Sequence, residues 1–162
     1  MELQLASKKA IELMDKHHLF DMGWHFEFDN AKRRFGQCNE RIKRITLSRH
    51  LVSLNDEDRV TNTILHEIAH ALVGCRHGHD NVWKWKALEI GCDAHRCYST
   101  KLVTTPQSKY VAHCPNCNTE FKRHKKMREG RTSSCYKCSN GRYNEKYVLV
   151  WKINPNNLVV SK

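Results

Sequence analysis

Five residues, His66-Glu67-Ile68-Ala69-His70, restrict this chain more than any other stretch. On an α-helix, residues four apart share a face about one turn above each other, so both imidazoles can bind one metal ion. Zinc is the expected ion. Glu67 lies one residue round the same helix, where its carboxylate can take a proton from a water that the ion activates. This is the layout of a zinc hydrolase.

The helix is well marked. Asn55 is the expected cap, Asp56, Glu57 and Asp58 fall in the positively polarised first turn, and Val60, Ile64, Ile68 and Leu72 recur at four-residue steps. Gly74 offers a stop. A bare HExxH also arises by chance on half-buried helices, so the third ligand decides. A pattern with Gly and His three and six residues beyond the second histidine fails, because Val73 and Arg76 stand there. A glutamate from a following helix would be Glu89. A histidine just past the helix would be His77 or His79. The residues alone leave all three open.

HEIAHALVG followed by Gly78-His79-Asp80-Asn81-Val82-Trp83-Lys84-Trp85 resembles the SprT-like metallopeptidases, the family that includes Spartan. That resemblance implies a third histidine ligand with an aromatic residue four positions later. His79 with Trp83 fits, whereas His77 would pair with Asn81. The implied catalytic zinc ligands are therefore His66, His70 and His79, with Glu67 as general base. Trp83 and Trp85 are expected to pack the next helix. The segments FDNAKRRFGQC and RITLSRHLV also resemble the family's stretch before HExxH, so the likeness spans most of residues 20–90. It implies an α+β, zincin-like core: a helix, a small antiparallel sheet, the HExxH helix and a following helix.

Periodicity gives a compatible order of elements. Residues 3–18 read as a helix burying Leu5, Ile11, Leu13 and Met14. Trp24, Phe26 and Phe28 alternate with polar residues as a first strand, residues 31–38 can return as a second with Gly36 at a bend, and Ile45 and Leu47 mark a third. Ser48 can cap a brief helix, and a last helix runs from about Asn81 to Ile90. Cys38 and Cys75 are expected as buried small apolar residues, and Cys92 and Cys97 as structural thiols, with a metal-holding or redox pair as the alternative. A Cys75 thiolate closing the zinc's open position is the rival reading.

The remaining cysteines form Cys114-x-x-Cys117 and Cys135-x-x-Cys138, with seventeen residues between the pairs, the sequence form of a four-thiolate zinc ribbon. A module this small needs metal to fold. Residues 104–108 read as a linker, giving a core over 1–104 and a basic ribbon over 105–162. Tyr147, Leu149 and Trp151 alternate in a final strand that either completes the ribbon or docks it on the core. One catalytic and one structural Zn2+ are expected.

Charge points to the partner. The chain carries +11, of which residues 109–152 hold +8. Lys122, Arg123, Lys125, Lys126, Arg128 and Arg131 lie between the knuckles, near Phe121, Tyr136 and Tyr143, a mixture suited to phosphates and unpaired bases. Several SprT-like proteins carry such a ribbon. No run of eighteen apolar residues spans a bilayer, and the first eighteen residues lack the layout of a secretory signal, so an intracellular protein is expected, in cytoplasm, nucleoid or nucleus with DNA. The resemblance implies an endopeptidase for DNA-associated or DNA-crosslinked proteins, with self-cleavage in the linker as a further family trait. A non-catalytic nucleic-acid-binding adaptor and a zinc hydrolase of a non-protein substrate are the rival classes. For the oxyanion, His95, Arg96 and Tyr98 are positional candidates only.

Overall fold

The computed structural model describes residues 1–96 and 103–157. Cys97 and Tyr98 lie outside the described residues. The chain divides into two compact units, Met1–Pro106 and Gln107–Lys162.

The first unit opens with helix α1, Leu3–Lys16. Its buried stripe is Ala6, Ala10 and Met14, with Leu3 and Leu13 packed at the margin. Leu5 and Ile11, expected inside, are 44% and 49% exposed. The two alanines take the inward face because α1 lies against the metal-bearing helix, and small side chains permit close approach.

Strands β1 (His25–Asp29), β2 (Gly36–Asn39) and β3 (Arg44–Ser48) form one sheet in the order β1-β3-β2. β2 runs antiparallel to β3, as expected, with Cys38 opposite Ile45. β1, however, runs parallel to β3, with Phe26 opposite Ile45, so the sheet is mixed. Residue alternation fixes which face is buried but carries no information on strand direction. Ile45 and Leu47 are fully buried at the centre of the sheet, joined in the core by Trp24, Phe35, Leu51, Ile64 and Ile68.

Ser48 caps helix α2 (Arg49–Leu54), its hydroxyl accepting from the Leu51 amide at 3.2 Å. The next helix, α3, spans Glu57–Val73. Its cap is Asp56, whose Oδ1 accepts from the Arg59 amide at 2.8 Å, and not Asn55. Asn55 ends α2 instead. Its side-chain amide donates to the Leu51 and Thr104 carbonyls and accepts from the Thr104 amide. A carboxylate could not do this, since it lacks a donor. α3 stops at Gly74, whose φ of 89° favours glycine. Helix α4 follows over Asn81–Glu89. Trp83 is fully buried in it, but Trp85, expected to pack, is 75% exposed. No helix among the described residues is long and apolar enough to cross a membrane.

The second unit contains β4 (Tyr110–His113), β5 (Glu120–Arg123) and β6 (Lys152–Ile153), with β4 in the middle and both neighbours antiparallel to it. Its buried cluster is Ala112, Cys114, Cys135 and Leu149, flanked by Phe121, Tyr147 and Trp151. The last segment completes the ribbon, though only Lys152 and Ile153 form a regular strand. Before them, the Leu149 amide donates to the Ser133 carbonyl, and the Cys135 amide to that of Tyr147.

Candidate metal centres

α3 turns His66 and His70 to one side, and the turn after Gly74 brings His79 back against them. The His79 Nε2 lies 3.1 Å from that of His66 and 3.2 Å from that of His70. A tetrahedral zinc with nitrogen ligands at 2.0–2.1 Å holds them about 3.3 Å apart, so His79 stands close to the separation from His66 and from His70 that the ion requires, and all three ligand atoms lie within 4.8 Å of one another. Their ring state suits it as well. Burial first, and then the neighbouring imidazoles, lower His66 and His70 to about 4. Burial also lowers His79, helped by the Arg96 charge. All three are therefore neutral near pH 7, and neutral imidazole is the form that ligates.

Trp83 supports the triad. Its ring centroid is 4.6 Å from those of His66 and His79 and 5.1 Å from that of His70, on which it stacks. The loop carrying His79 is held by Asp80. One oxygen of Asp80 accepts from the Trp83 amide at 3.1 Å and caps α4, and the other contacts His77 Nδ1 at 2.9 Å. His77 is thus engaged with Asp80, away from the triad. Glu89 is also elsewhere, 2.7 Å from Lys86 Nζ on α4. Neither belongs to the cluster of His66, His70 and His79.

Glu67 is buried, with 7% of its surface exposed. Burial pushes its carboxyl up to about 8, opposed by the Cys38 amide, which donates to it, and by the Arg34 charge. The close approach comes from β2. A Cβ added to Gly36 would sit 2.6 Å from Glu67 Oε1 and 2.8 Å from its Cγ, so hydrogen alone fits there. Gly36 read from sequence as a bend, and its role as the wall behind Glu67 is a contact across thirty-one residues. No local pattern signals it.

A cleft of about 660 Å³ runs over this centre, bordered by Gly36 and Cys38 of β2, by α3, and by His95 and Arg96. His95 and Arg96 therefore reach the cleft. The segment leading to them is tied to α3 by the Asp93 amide donating to Asn62 Oδ1 at 2.8 Å. Cys92 is buried, its sulfur 3.7 Å from the Asn62 carbonyl. Cys38 and Cys75 depart from expectation. Each is half-buried beside the cleft, and their sulfurs lie 3.5 Å apart. Cys75 is not in the cluster with the three histidines.

The second centre gathers Cys114, Cys117, Cys135 and Cys138. Cys114 and Cys138 sulfurs are 3.8 Å apart, and those of Cys117 and Cys135 are 3.7 Å apart. Four thiolates at 2.3 Å around a tetrahedral zinc are about 3.75 Å apart, so this set also fits. The Asn116 amide donates to the Cys138 sulfur at 3.3 Å, a hydrogen bond typical of a shell around a thiolate site. Around this centre the basic residues divide. Lys122 pairs with Glu120 at 2.7 Å, and the half-buried Arg123 lies over the Trp151 ring at 5.2 Å. Lys125, Lys126, Arg128 and Arg131 are exposed, as are Tyr136 and Tyr143.

The sequence profile of the SprT-like family matches residues 7–106, which include the three histidines and Glu67 and stop short of the four cysteines. The chain is 28% identical over 127 residues to Protein SprT of Pseudomonas putida (strain W619), covering 70% of this chain and 74% of that protein. It is 26% identical over 124 residues to Protein SprT of Pseudomonas entomophila (strain L48), with the same coverage.

Proposed function

This chain belongs to the SprT-like family, and from that premise we propose that it is a zinc-dependent endopeptidase cutting proteins that are attached to or seated on DNA, its basic ribbon holding the DNA. The observation that carries the catalytic half is the buried Glu67 carboxylate beside three converging imidazoles. When bound there, zinc polarises the scissile carbonyl and acidifies the attacking water. Glu67 takes that water's proton and passes it to the departing amine. Burial alone holds Glu67 protonated near neutrality. A dication on the histidines pulls it back towards the anion, so the carboxyl can both accept and return a proton.

The substrate path follows from sheet order. β2 is an edge strand, and the cleft runs along it. An extended polypeptide can pair with that edge through main-chain hydrogen bonds, which read shape more than sequence. Low sequence preference is the expected result.

Support for DNA is electrostatic. Most of the chain's excess charge lies in residues 109–152, with five exposed basic residues between the knuckles, Lys122 among them, and the exposed Tyr136 and Tyr143. The ribbon zinc is structural in this reading, so the chain carries two ions. The test is cleavage of a protein bound to DNA by the zinc-loaded chain. Wild type should cut it, the chelated chain should not, and Glu67→Gln should lose at least about a hundredfold in rate while retaining both zinc ions. Equal rates for wild type and Glu67→Gln would end the catalytic reading. DNA affinity should fall steeply from about 50 to 200 mM salt, and a flat response would end the phosphate-binding one.

A further inference from the structure

Two thiols that the proposed chemistry does not use face each other beside the catalytic cleft. Cys38 lies on edge strand β2, and Cys75 lies in the turn between Gly74 and Gly78 that leads to His79. Their sulfurs are 3.5 Å apart, and both side chains are half-buried. Thirty-seven residues separate them, and they meet because β2 packs along α3 and ends where α3 ends. A second bond fixes the turn from the same side, as Glu40, just beyond β2, accepts from the Cys75 amide at 3.0 Å.

We propose that Cys38 and Cys75 are a modification site, an oxidisable dithiol that a peroxide converts to a disulfide, and that this bond slows hydrolysis at the neighbouring centre. The first part stands on the thiol geometry, and the second rests on the endopeptidase reading above. The chemistry balances with hydrogen peroxide as the oxidant. One thiol sulfur attacks the peroxide, the O–O bond breaks, and the sulfur becomes a sulfenic acid with release of one water. The second thiol then attacks that sulfur, the S–O bond breaks, a second water leaves, and the S–S bond remains. Two thiols are oxidised by two electrons, and one peroxide is reduced to two waters.

The location supplies both access and consequence. Both residues border the cleft, which is open enough for a peroxide to enter. Closing the sulfurs from 3.5 Å to about 2.05 Å rotates both side chains and shifts the backbone that carries them, β2 at Cys38 included. Cys38 is also the residue whose amide donates to the Glu67 carboxylate. A displacement of about 1 Å at a group that orients a catalytic side chain can cost about a hundredfold in rate. The disulfide therefore acts through Glu67, leaving the three imidazoles as the ion's ligands.

The other described cysteines are placed differently. Four surround the ribbon centre, where a bound ion would shield them, and Cys92 is buried against α3. Among the described cysteines, a modest excess of peroxide should thus reach Cys38 and Cys75 first.

The experiment uses the full, zinc-loaded chain. It is treated with a few equivalents of hydrogen peroxide, alkylated, digested and examined by mass spectrometry, with zinc content and cleavage rate measured on the same sample. The expected result is a crosslinked peptide joining Cys38 to Cys75, a hydrogen pair lighter than the two free peptides, both zinc ions retained, and a rate loss between about threefold and a hundredfold that dithiothreitol reverses. In Cys75→Ser, peroxide should leave the rate, whatever its starting value, unaltered. Oxidation to sulfinic acid, or ribbon disulfides with zinc loss and no Cys38–Cys75 peptide, overturns the site. A crosslinked chain that cuts as fast as the reduced one overturns the control of hydrolysis. If no form of the chain cuts protein, the endopeptidase reading fails, while the crosslinked peptide still reports on the dithiol.

Discussion

Gly36 has no side chain, and that absence positions the carboxylate on which the proposed chemistry depends. Any Cβ there would meet Glu67 Oε1 at 2.6 Å, and the yielding partner would be the flexible Glu67 side chain. Gly36→Ala should therefore fold, keep its zinc and lose function. The expected change is a ten- to hundredfold fall in kcat with little change in KM, measured on a DNA-bound protein substrate alongside zinc content and a thermal melt. A variant that cuts normally would show that Glu67 has room to work elsewhere. His66, Glu67 and His70 were legible in the sequence because their relation is local: one helix repeat places all three. His79 was reachable only through the family resemblance, since spacing left His77 and Glu89 as rivals. Gly36 and the Cys38 amide could not be read, because their contact with Glu67 passes between a strand and a helix whose docking no local pattern encodes.

At the level of elements, the turn between α3 and α4 decides whether two histidines become three. Asp80 does two jobs there, capping α4 through the Trp83 amide and holding His77 aside. Without it, the turn loses these two bonds and keeps the one from the Cys75 amide to Glu40, while His66 and His70 stay fixed on α3. Asp80→Ala should weaken zinc binding at the histidine centre about tenfold or more, as removal of a supporting hydrogen bond does elsewhere, and leave the ribbon ion in place. Competition with a graded chelator measures this, and unchanged affinity would mean that Trp83 and the Glu40–Cys75 bond suffice to position His79. The elements themselves were largely legible, but their partners were less so. Alternation located β1 and β3 without revealing that they run parallel. Helical spacing located α1 yet chose Leu5 and Ile11 for its inner face, where close packing against α3 selects Ala6 and Ala10. Asn55 and Asp56 are adjacent and both can cap, and only the bonds to Thr104, far along the chain, assign Asn55 another role.

The whole molecule joins two units with different sources of cohesion. The Met1–Pro106 unit has a core of side chains such as Trp24, Ile45, Leu47 and Ile64, none of them a metal ligand. In the Gln107–Lys162 unit, two of the four buried cluster residues, Cys114 and Cys135, are themselves candidate ligands. This contrast was legible as composition, because residues beyond the linker offer paired cysteines and charge where earlier ones offer apolar periodicity. The sequence put the boundary at 104/105, and the compact units meet two residues later. Removing metal should then affect the units unequally. A structural zinc contributes about 10–16 kcal/mol to folding a small thiolate module, far more than a cluster of this size contributes by burial, so the ribbon should unfold without its ion. The first unit should remain folded, losing only the link among its three histidines. Limited trypsin digestion after treatment with a strong chelator tests this directly: the many Lys and Arg residues beyond 107 should be cut rapidly, leaving a resistant fragment that ends near Pro106, and added zinc should restore resistance. A ribbon that resists trypsin without metal would show that its apolar cluster suffices, and loss of the first unit at the same chelator concentration would show that the histidine centre supports the core as well as the chemistry.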